Sequence, residues 1–225
     1  MRPQRLEDFL GQEHLLEPGK PLRQVIERGE VTSMVFWGPP GSGKTTLAFL
    51  IAKYTDRHFE PFSAVTEGVA RVREIIHEAE ERQRLEGRGT ILFCDEIHRF
   101  NKAQQDAFLP WVERGVITLI GATTQNPSFE LTSALLSRLQ VFVLEPLRAE
   151  HVRALVVRAL DPAMGPISDE ALEALVRHAD GDARRALNTL ETLLEHVSPR
   201  APLTAHPITL QELEAVLSKR VPRYD

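Results

Sequence analysis

One stretch constrains this chain more than any other: Gly38-Pro39-Pro40-Gly41-Ser42-Gly43-Lys44-Thr45 satisfies the pattern G-x-x-x-x-G-K-[ST]. Its neighbours matter as much as the match. Ser33 to Trp37 reads as a short apolar strand, and Lys44 to about Tyr54 reads as a helix. Several backbone N–H groups can converge on one point only if the chain curls through conformations that glycine adopts freely. The following helix directs the positive end of its dipole to the same point. Strand, glycine loop and helix in this order make a cradle for a phosphate chain. In such a cradle Lys44 meets the β- and γ-phosphates and the Thr45 hydroxyl ligates Mg²⁺, with Thr46 beside them as a further nucleotide contact.

Punctuation by proline and glycine divides the rest into alternating pieces. Leu22 to Glu27 reads as a short helix, His58 to Phe62 as a second strand, and Gly68 to Leu85 as a helix with Val72, Ile75, Ile76 and Ala79 on one face. Thr90 to Cys94 is a uniformly apolar strand, as expected where both faces are covered. The spacing then predicts a helix from Asn101 to about Glu113, bent or shortened by Pro110, a strand over Val116 to Thr123, a short helix over Ser133 to Leu139 and a strand over Val141 to Leu144. The alternation predicts an α/β fold, a doubly wound parallel sheet of five strands. Beyond Pro146 the pattern is helical throughout: Ala149 to Leu160, Ser168 to Ala179, Asp182 to His196 and Thr209 to Lys219, with Ser198 to Pro207 as a connector. The expected division is a nucleotide-binding core over 1–146 and a small all-helical lid domain over 147–225.

Ile91-Leu92-Phe93-Cys94 runs into Asp95-Glu96. In an open parallel sheet ligands lie at the carboxyl ends of strands, so these acids are expected beside the phosphate loop. Asp95 would hold Mg²⁺ through water and Glu96 would polarise the attacking water. Asp95-Glu96-Ile97-His98 also matches the Asp-Glu-x-His box of one helicase superfamily. That group needs a second sheet domain with a further arginine motif, and the helical pattern after Pro146 does not supply one. His98 is therefore read as a positioning residue or plain surface. The fourth strand ends in Gly121-Ala122-Thr123-Thr124-Gln125-Asn126-Pro127. Thr123 is best placed there to orient the water, with Thr124 and Asn126 as alternatives; an Asx-type turn before Pro127 is the plainer reading.

Composition narrows the field of functions. The 225 residues have a net charge of −5, which argues against a generally basic nucleic-acid binder while leaving room for a local basic face. The single cysteine, Cys94, excludes an intramolecular disulfide and a cysteine-based zinc site, and fits a reducing cytosol. The start, Met1-Arg2-Pro3-Gln4-Arg5, shows no secretory signal, and no apolar run approaches the ~20 residues that span a bilayer. A cytoplasmic location without membrane attachment is expected.

Taken together, these motifs resemble the AAA+ ATPases, in which Gly-Pro-Pro-Gly-x-Gly-Lys-Thr is the characteristic loop. Met1 through Leu6, Phe9 and Gly11-Gln12 is similar to the segment that cradles adenine in the clamp-loader and Holliday-junction-motor branches, which implies nucleotide contacts from Leu6, Phe9 and Gln12. Ala134-Leu135-Leu136-Ser137-Arg138 resembles the arginine-finger stretch, implying that Arg138 is offered to a neighbouring subunit's ATP. Asp180 to Asn188 resembles the lid motif whose first arginine, here Arg184, touches the γ-phosphate. Ser63 to Gly68, His98 to Pro110 and Gly121 to Glu130 are similar to the replication-associated recombination branch and its Werner-interacting relatives. That resemblance implies a longer family chain, continuing past Asp225 into a helical oligomerisation domain. It also implies homo-oligomers in the full-length family, with a monomer as the expectation for this stretch alone, action on forked or gapped DNA, and work alongside single-stranded-DNA-binding protein near the nucleoid.

Helix starts around Gly68 to Arg73 and at Asn101-Lys102 are the DNA-facing candidates, with Arg71, Arg73 and Lys102 as phosphate contacts. Arg82, Arg84 and Arg88 interleave with Glu80, Glu81 and Glu86 and read as a salt-bridged surface. The leading function is an ATP hydrolase coupled to DNA remodelling. The alternatives are a clamp-loader-type subunit and a nucleotide-dependent scaffold with weak hydrolysis; Glu96 and Arg138 together favour the hydrolase.

Overall fold

A computed structural model describes residues 3–160, 166–197 and 207–219. Met1 and Arg2, nearly all of the expected connector from Ser198 to Pro207, and the terminal Arg223-Tyr224-Asp225 lie outside the described residues.

Five strands form one parallel sheet: Met34–Trp37 (β1), His58–Ser63 (β2), Thr90–Asp95 (β3), Ile117–Thr123 (β4) and Gln140–Val143 (β5), in the order β2-β3-β4-β1-β5. The apolar runs fold this way because alternate side chains feed two separate cores. In β3, Ile91 and Phe93 join Met34, Phe36, Leu47 and Ile120 on one face, while Leu92 and Cys94 join Val35, Ile75, Leu119 and Phe108 on the other. A period of two that is apolar on both sides suits a sheet with helices on both faces. The helices α1 (Glu13–Leu16), α2 (Pro21–Arg28) and α3 (Lys44–Tyr54) cover the first face. The second is covered by α4 (Val69–Glu86), α5 (Lys102–Asp106), α6 (Leu109–Glu113) and, after α7 (Pro127–Glu130), α8 (Ser133–Leu136).

The helix expected from Asn101 to Glu113 is two helices. Asn101 opens α5 with a capping box, accepting from the Gln104 N–H while its own N–H donates to the Gln104 side chain. Pro110 sits in the first turn of α6. A proline ring clashes with the carbonyl four residues before it and has no N–H to donate there. That residue is Asp106, where α5 stops. Similarly, α8 ends at Leu136 rather than Leu139, because Arg138 and Leu139 bond three residues back, to Leu135 and Leu136, as the chain tightens into β5.

The chain divides into two compact units, one of Arg2–Pro39 together with Gly43–Glu145, the other from Pro146 onward together with Pro40–Ser42. The second unit contains α9 (Ala149–Ala159), α10 (Asp169–Ala179), α11 (Ala183–Val197) and α12 (Leu210–Lys219) around its own core, which includes Val152, Val156, Leu175, Leu193 and Leu213. The starts of α10, α11 and α12 are capped by side chains: Ser168 accepts from the Ala171 N–H, Asp182 from the Arg185 N–H, and Thr209 exchanges bonds with Glu212. Such caps contribute about 1 kcal/mol each.

Candidate active site

Parallel pairing brings the ends of four strands to one edge of the sheet. Trp37 is in register with Thr123, Cys94 with Gly121, and Ser63 with Asp95. The Gly38 N–H donates to the Thr123 carbonyl at 3.2 Å, so the phosphate loop starts where β4 ends. Gly38 must lack a side chain, since a Cβ there would overlap the carbonyl oxygen of Leu144. Gly43 has φ +100°, and a Cβ on it would lie 2.6 Å from the Phe9 ring. Both glycines are therefore required by close approach as well as by curl. Ser42 is buried.

Lys44, the first residue of α3, is 8% exposed, and its Nζ donates to the carbonyls of Gly38 and Pro39 at 2.8 Å each. A buried ammonium needs acceptors, and here the loop's own backbone supplies them. Thr45 and Thr46 follow in the first helical turn, both partly exposed.

At the neighbouring strand end, Asp95 accepts the Glu96 N–H at 3.1 Å. Glu96 lies in the left-handed region with φ 54° and ψ 42°, which turns the chain out of β3 into a tight turn over Ile97–Arg99. A non-glycine residue in this region is uncommon and carries backbone strain of about 1–3 kcal/mol. His98 stands between the two expected catalytic positions: Nε2 is 3.3 Å from Glu96 Oε2 and Nδ1 is 2.9 Å from Thr123 Oγ1. Thr123 is wholly buried, and its hydroxyl also accepts the Gln125 N–H at 3.0 Å. Thr124 is partly exposed, while the Asn126 side chain caps α7 by accepting from the Ser128 N–H. The Asx-type reading therefore applies to Asn126.

Arg138 is on the surface with its side chain 38% exposed. Its Nε donates to Glu113 at 2.6 Å and Nη1 to the Ala134 carbonyl at 2.7 Å. Arg184 is exposed at the second position of α11. In the segment compared with adenine cradles, Leu6 is buried and its N–H donates to the Tyr54 hydroxyl, and Phe9 packs against Gly43. Gln12 is buried and left-handed, and its amide exchanges bonds with the backbone of Glu145 at 2.7 and 2.9 Å. Its side-chain amide is thus a clasp between the start of the chain and the end of β5.

The DNA candidates fare unevenly. Arg71 is surrounded by Glu60, Glu67, Glu74 and Glu78 at 2.8 to 4.0 Å, and hydrogen bonding to Glu74 leads the causes that push its pKa up. Its charge is thus compensated by carboxylates of the same surface, which a phosphate would have to displace. Arg73 and Lys102 are exposed. Arg82 donates to the Thr90 hydroxyl and Arg88 pairs with Asp56, so these arginines fasten α4 and its following turn to the amino-terminal edge of the sheet. The expected pairing with Glu80, Glu81 and Glu86 is replaced by these contacts.

Sequence reasoning left two residues undervalued. The Asp-Glu-x-His string flagged His98 but gave it no partner, and nothing in the sequence joined Glu113 to Arg138. Among the described residues there is no group of three or more His, Cys, Asp or Glu that could hold a metal.

Residues 34–147 match the family model "ATPase family associated with various cellular activities (AAA)", and residues 164–225 match "AAA C-terminal domain". The chain belongs to the AAA ATPase family. It is 52% identical over 202 residues to replication-associated recombination protein A of Escherichia coli K12, covering 87% of this chain and 45% of that protein. The protein of the same name from Haemophilus influenzae is 46% identical, covering 100% and 51%. ATPase WRNIP1 of Dictyostelium discoideum is 44% identical, covering 87% and 23%. Among solved structures, the RuvB Holliday junction branch migration motor of Thermotoga maritima superposes with a TM-score of 0.76 at 29% identity, covering 97% of this chain and 72% of that one. The chain spans about half the length or less of these curated relatives. The five-stranded parallel sheet flanked by helices is thus the fold of a RuvB-like AAA ATPase. Among the described residues no helix is long and apolar enough to cross a membrane.

Proposed function

We propose that this chain is the ATP-hydrolysing module of a protein that maintains DNA during replication and recombination, at stalled forks or gapped DNA. The observation that carries the reading is Lys44: a buried ammonium folded onto its own glycine loop, at the sheet edge where Asp95 and Glu96 emerge. In this reading Gly38 to Thr46 wrap the phosphates, Lys44 exchanges its carbonyl partners for phosphate oxygens, and Leu6, Phe9 and Gln12 shape the base-binding side. Thr45 and Asp95 hold Mg²⁺, which supplies positive charge to the phosphates. Glu96 polarises the attacking water, Thr123 supports that end of the site, Arg138 serves a second copy, and Arg184 senses the γ-phosphate. The names of the relatives, replication-associated recombination protein A and a Holliday junction branch migration motor, support DNA as partner. Single-stranded-DNA-binding protein, a homo-oligomeric assembly and a nucleoid-associated, cytoplasmic setting are part of the same proposal and rest on the family resemblance alone.

Nucleotide titration and steady-state hydrolysis of Glu96→Gln test the division of roles. Binding should persist while turnover falls roughly 10²–10⁴-fold, the usual share of a positioned base. Unchanged turnover would remove Glu96 from the role of base, whereas a parent chain that binds ATP without measurable turnover would favour the nucleotide-dependent scaffold.

A further inference from the structure

We propose that His98 is a positioning residue that orients the Glu96 carboxylate, with its own ring set from behind by the buried hydroxyl of Thr123. The proposal rests on the reading of Glu96 as the group that polarises water. Three observations converge on it. First, Glu96 sits in a left-handed bend, and the turn after it is pinned by Ile97, which is fully buried. Gly121 leaves room for that anchor, since a Cβ there would come within 3.1 Å of Ile97 Cδ1. Second, the His98 side chain is only 11% exposed and has a polar partner on each side: Glu96 Oε2 at 3.3 Å from Nε2 and Thr123 Oγ1 at 2.9 Å from Nδ1. Third, Thr123 is 0% exposed, so bulk water cannot compete for its hydroxyl.

The chemistry of these groups fixes the direction of the chain of contacts. A carboxylate only accepts, so the ring proton belongs on Nε2, facing Glu96. Nδ1 is then an acceptor, and the Thr123 hydroxyl is its donor. That hydroxyl has one proton and two acceptors in reach, His98 Nδ1 at 2.9 Å and the Gln125 carbonyl at 3.2 Å; the nearer one takes it. A residue at the end of β4 thereby sets the tautomer and tilt of a ring that faces the carboxylate at the end of β3. Misplacing a reacting group by about 1 Å can cost about 10²-fold in rate. The contribution of Thr123 to turnover runs through this ring, and partly exposed Thr124 is the hydroxyl with surface to offer a phosphate.

The test uses the full chain carrying His98→Ala, His98→Gln, Thr123→Val or Thr123→Ser, with single-turnover hydrolysis and nucleotide affinity measured separately. His98→Ala and Thr123→Val should each slow hydrolysis about 10- to 100-fold, with the nucleotide Kd within about twofold of the parent. His98→Gln, which returns an N–H donor toward Glu96, and Thr123→Ser, which keeps the hydroxyl, should recover part of the rate. Without nucleotide, imidazole ¹⁵N shifts should show His98 as the Nε2–H tautomer, becoming a mixture in Thr123→Val. Hydrolysis by His98→Ala that is unchanged or faster, while Glu96→Gln is slow, would overturn the role of His98 and leave that of Glu96 standing. Fast hydrolysis by Glu96→Gln would overturn the role of Glu96 itself. A tautomer indifferent to Thr123→Val would remove Thr123 from the arrangement.

Discussion

Lys44 in the phosphate loop and Arg138 after α8 carry the same charge, yet the fold holds them differently. Lys44 is 8% exposed and bonded to two carbonyls of its own loop, whose path is set by Gly38 and Gly43 pressed against Leu144 and Phe9. The Arg138 side chain is 38% exposed and held by Glu113, a side chain of α6, along with groups of its own turn. A cation fixed by backbone acceptors in the interior serves the chain that carries it. A cation on the surface with an exchangeable carboxylate partner is suited to serve something outside that chain. An exposed ion pair of this kind is worth at most about 1 kcal/mol, so surrendering Glu113 to a better anion costs little.

Removing Arg138 gives the largest expected contrast. If it acts on a second copy, assembled Arg138→Ala should lose roughly 10³–10⁵-fold in turnover while still binding ATP. Mixed with Lys44→Ala at high protein concentration, it should regain activity, each copy supplying what the other lacks. Activity independent of concentration and unchanged in Arg138→Ala would place both cations in the same class and end the comparison.

Lys44→Ala should act on binding instead. Loss of a buried charge partner should weaken ATP affinity about 10²-fold or more, measured by titration with a fluorescent analogue, against no change for Arg138→Ala. Equal affinities in the two variants would show that the loop's backbone, and not its lysine, holds the phosphates.

Arg184 sharpens the contrast at smaller scale, being exposed like Arg138 but on the helical unit. Arg184→Ala should reduce the preference for ATP over ADP by about tenfold, within the usual range of coupling between sites, while changing ADP affinity little. Equal losses for both nucleotides would identify a structural arginine.

The same contrast explains what could be read from the sequence. The phosphate loop is contiguous, and each of its glycines answers a local demand of curl or close approach, so eight adjacent residues announced it. The central strands β1, β3 and β4 were legible because both faces are apolar, and helix starts such as Ser168 and Thr209 because their caps lie within three residues of the helices they begin. The partners that orient side chains were not legible. Glu113 reaches Arg138 from another helix, and Thr123 reaches His98 from the end of the neighbouring strand. Of the four glutamates around Arg71, Glu74 and Glu78 are on α4 itself, but Glu60 comes from β2 and Glu67 from the turn after it, so a helix read alone shows only half of that arginine's partners. Gln12 illustrates the same gap: its partner, the backbone of Glu145, carries no side-chain signature.

The pairing of β1 has a consequence for the order of assembly. Met34–Trp37 bonds only to β4 and β5, strands that follow much later in the chain, and Gly38 closes against Leu144. The glycine loop leaves the ribosome before either of these partner strands, and among the described residues no strand precedes β1 to pair with it. Its cradle cannot close until residue 144 has been synthesised, and pairings between such distant segments form slowly because the intervening chain must first be ordered. Throughout that interval the nascent segment offers an apolar strand with two unpaired edges, the kind of surface on which chains aggregate. Nucleotide cannot stabilise it then, since the binding site is completed only when the sheet is.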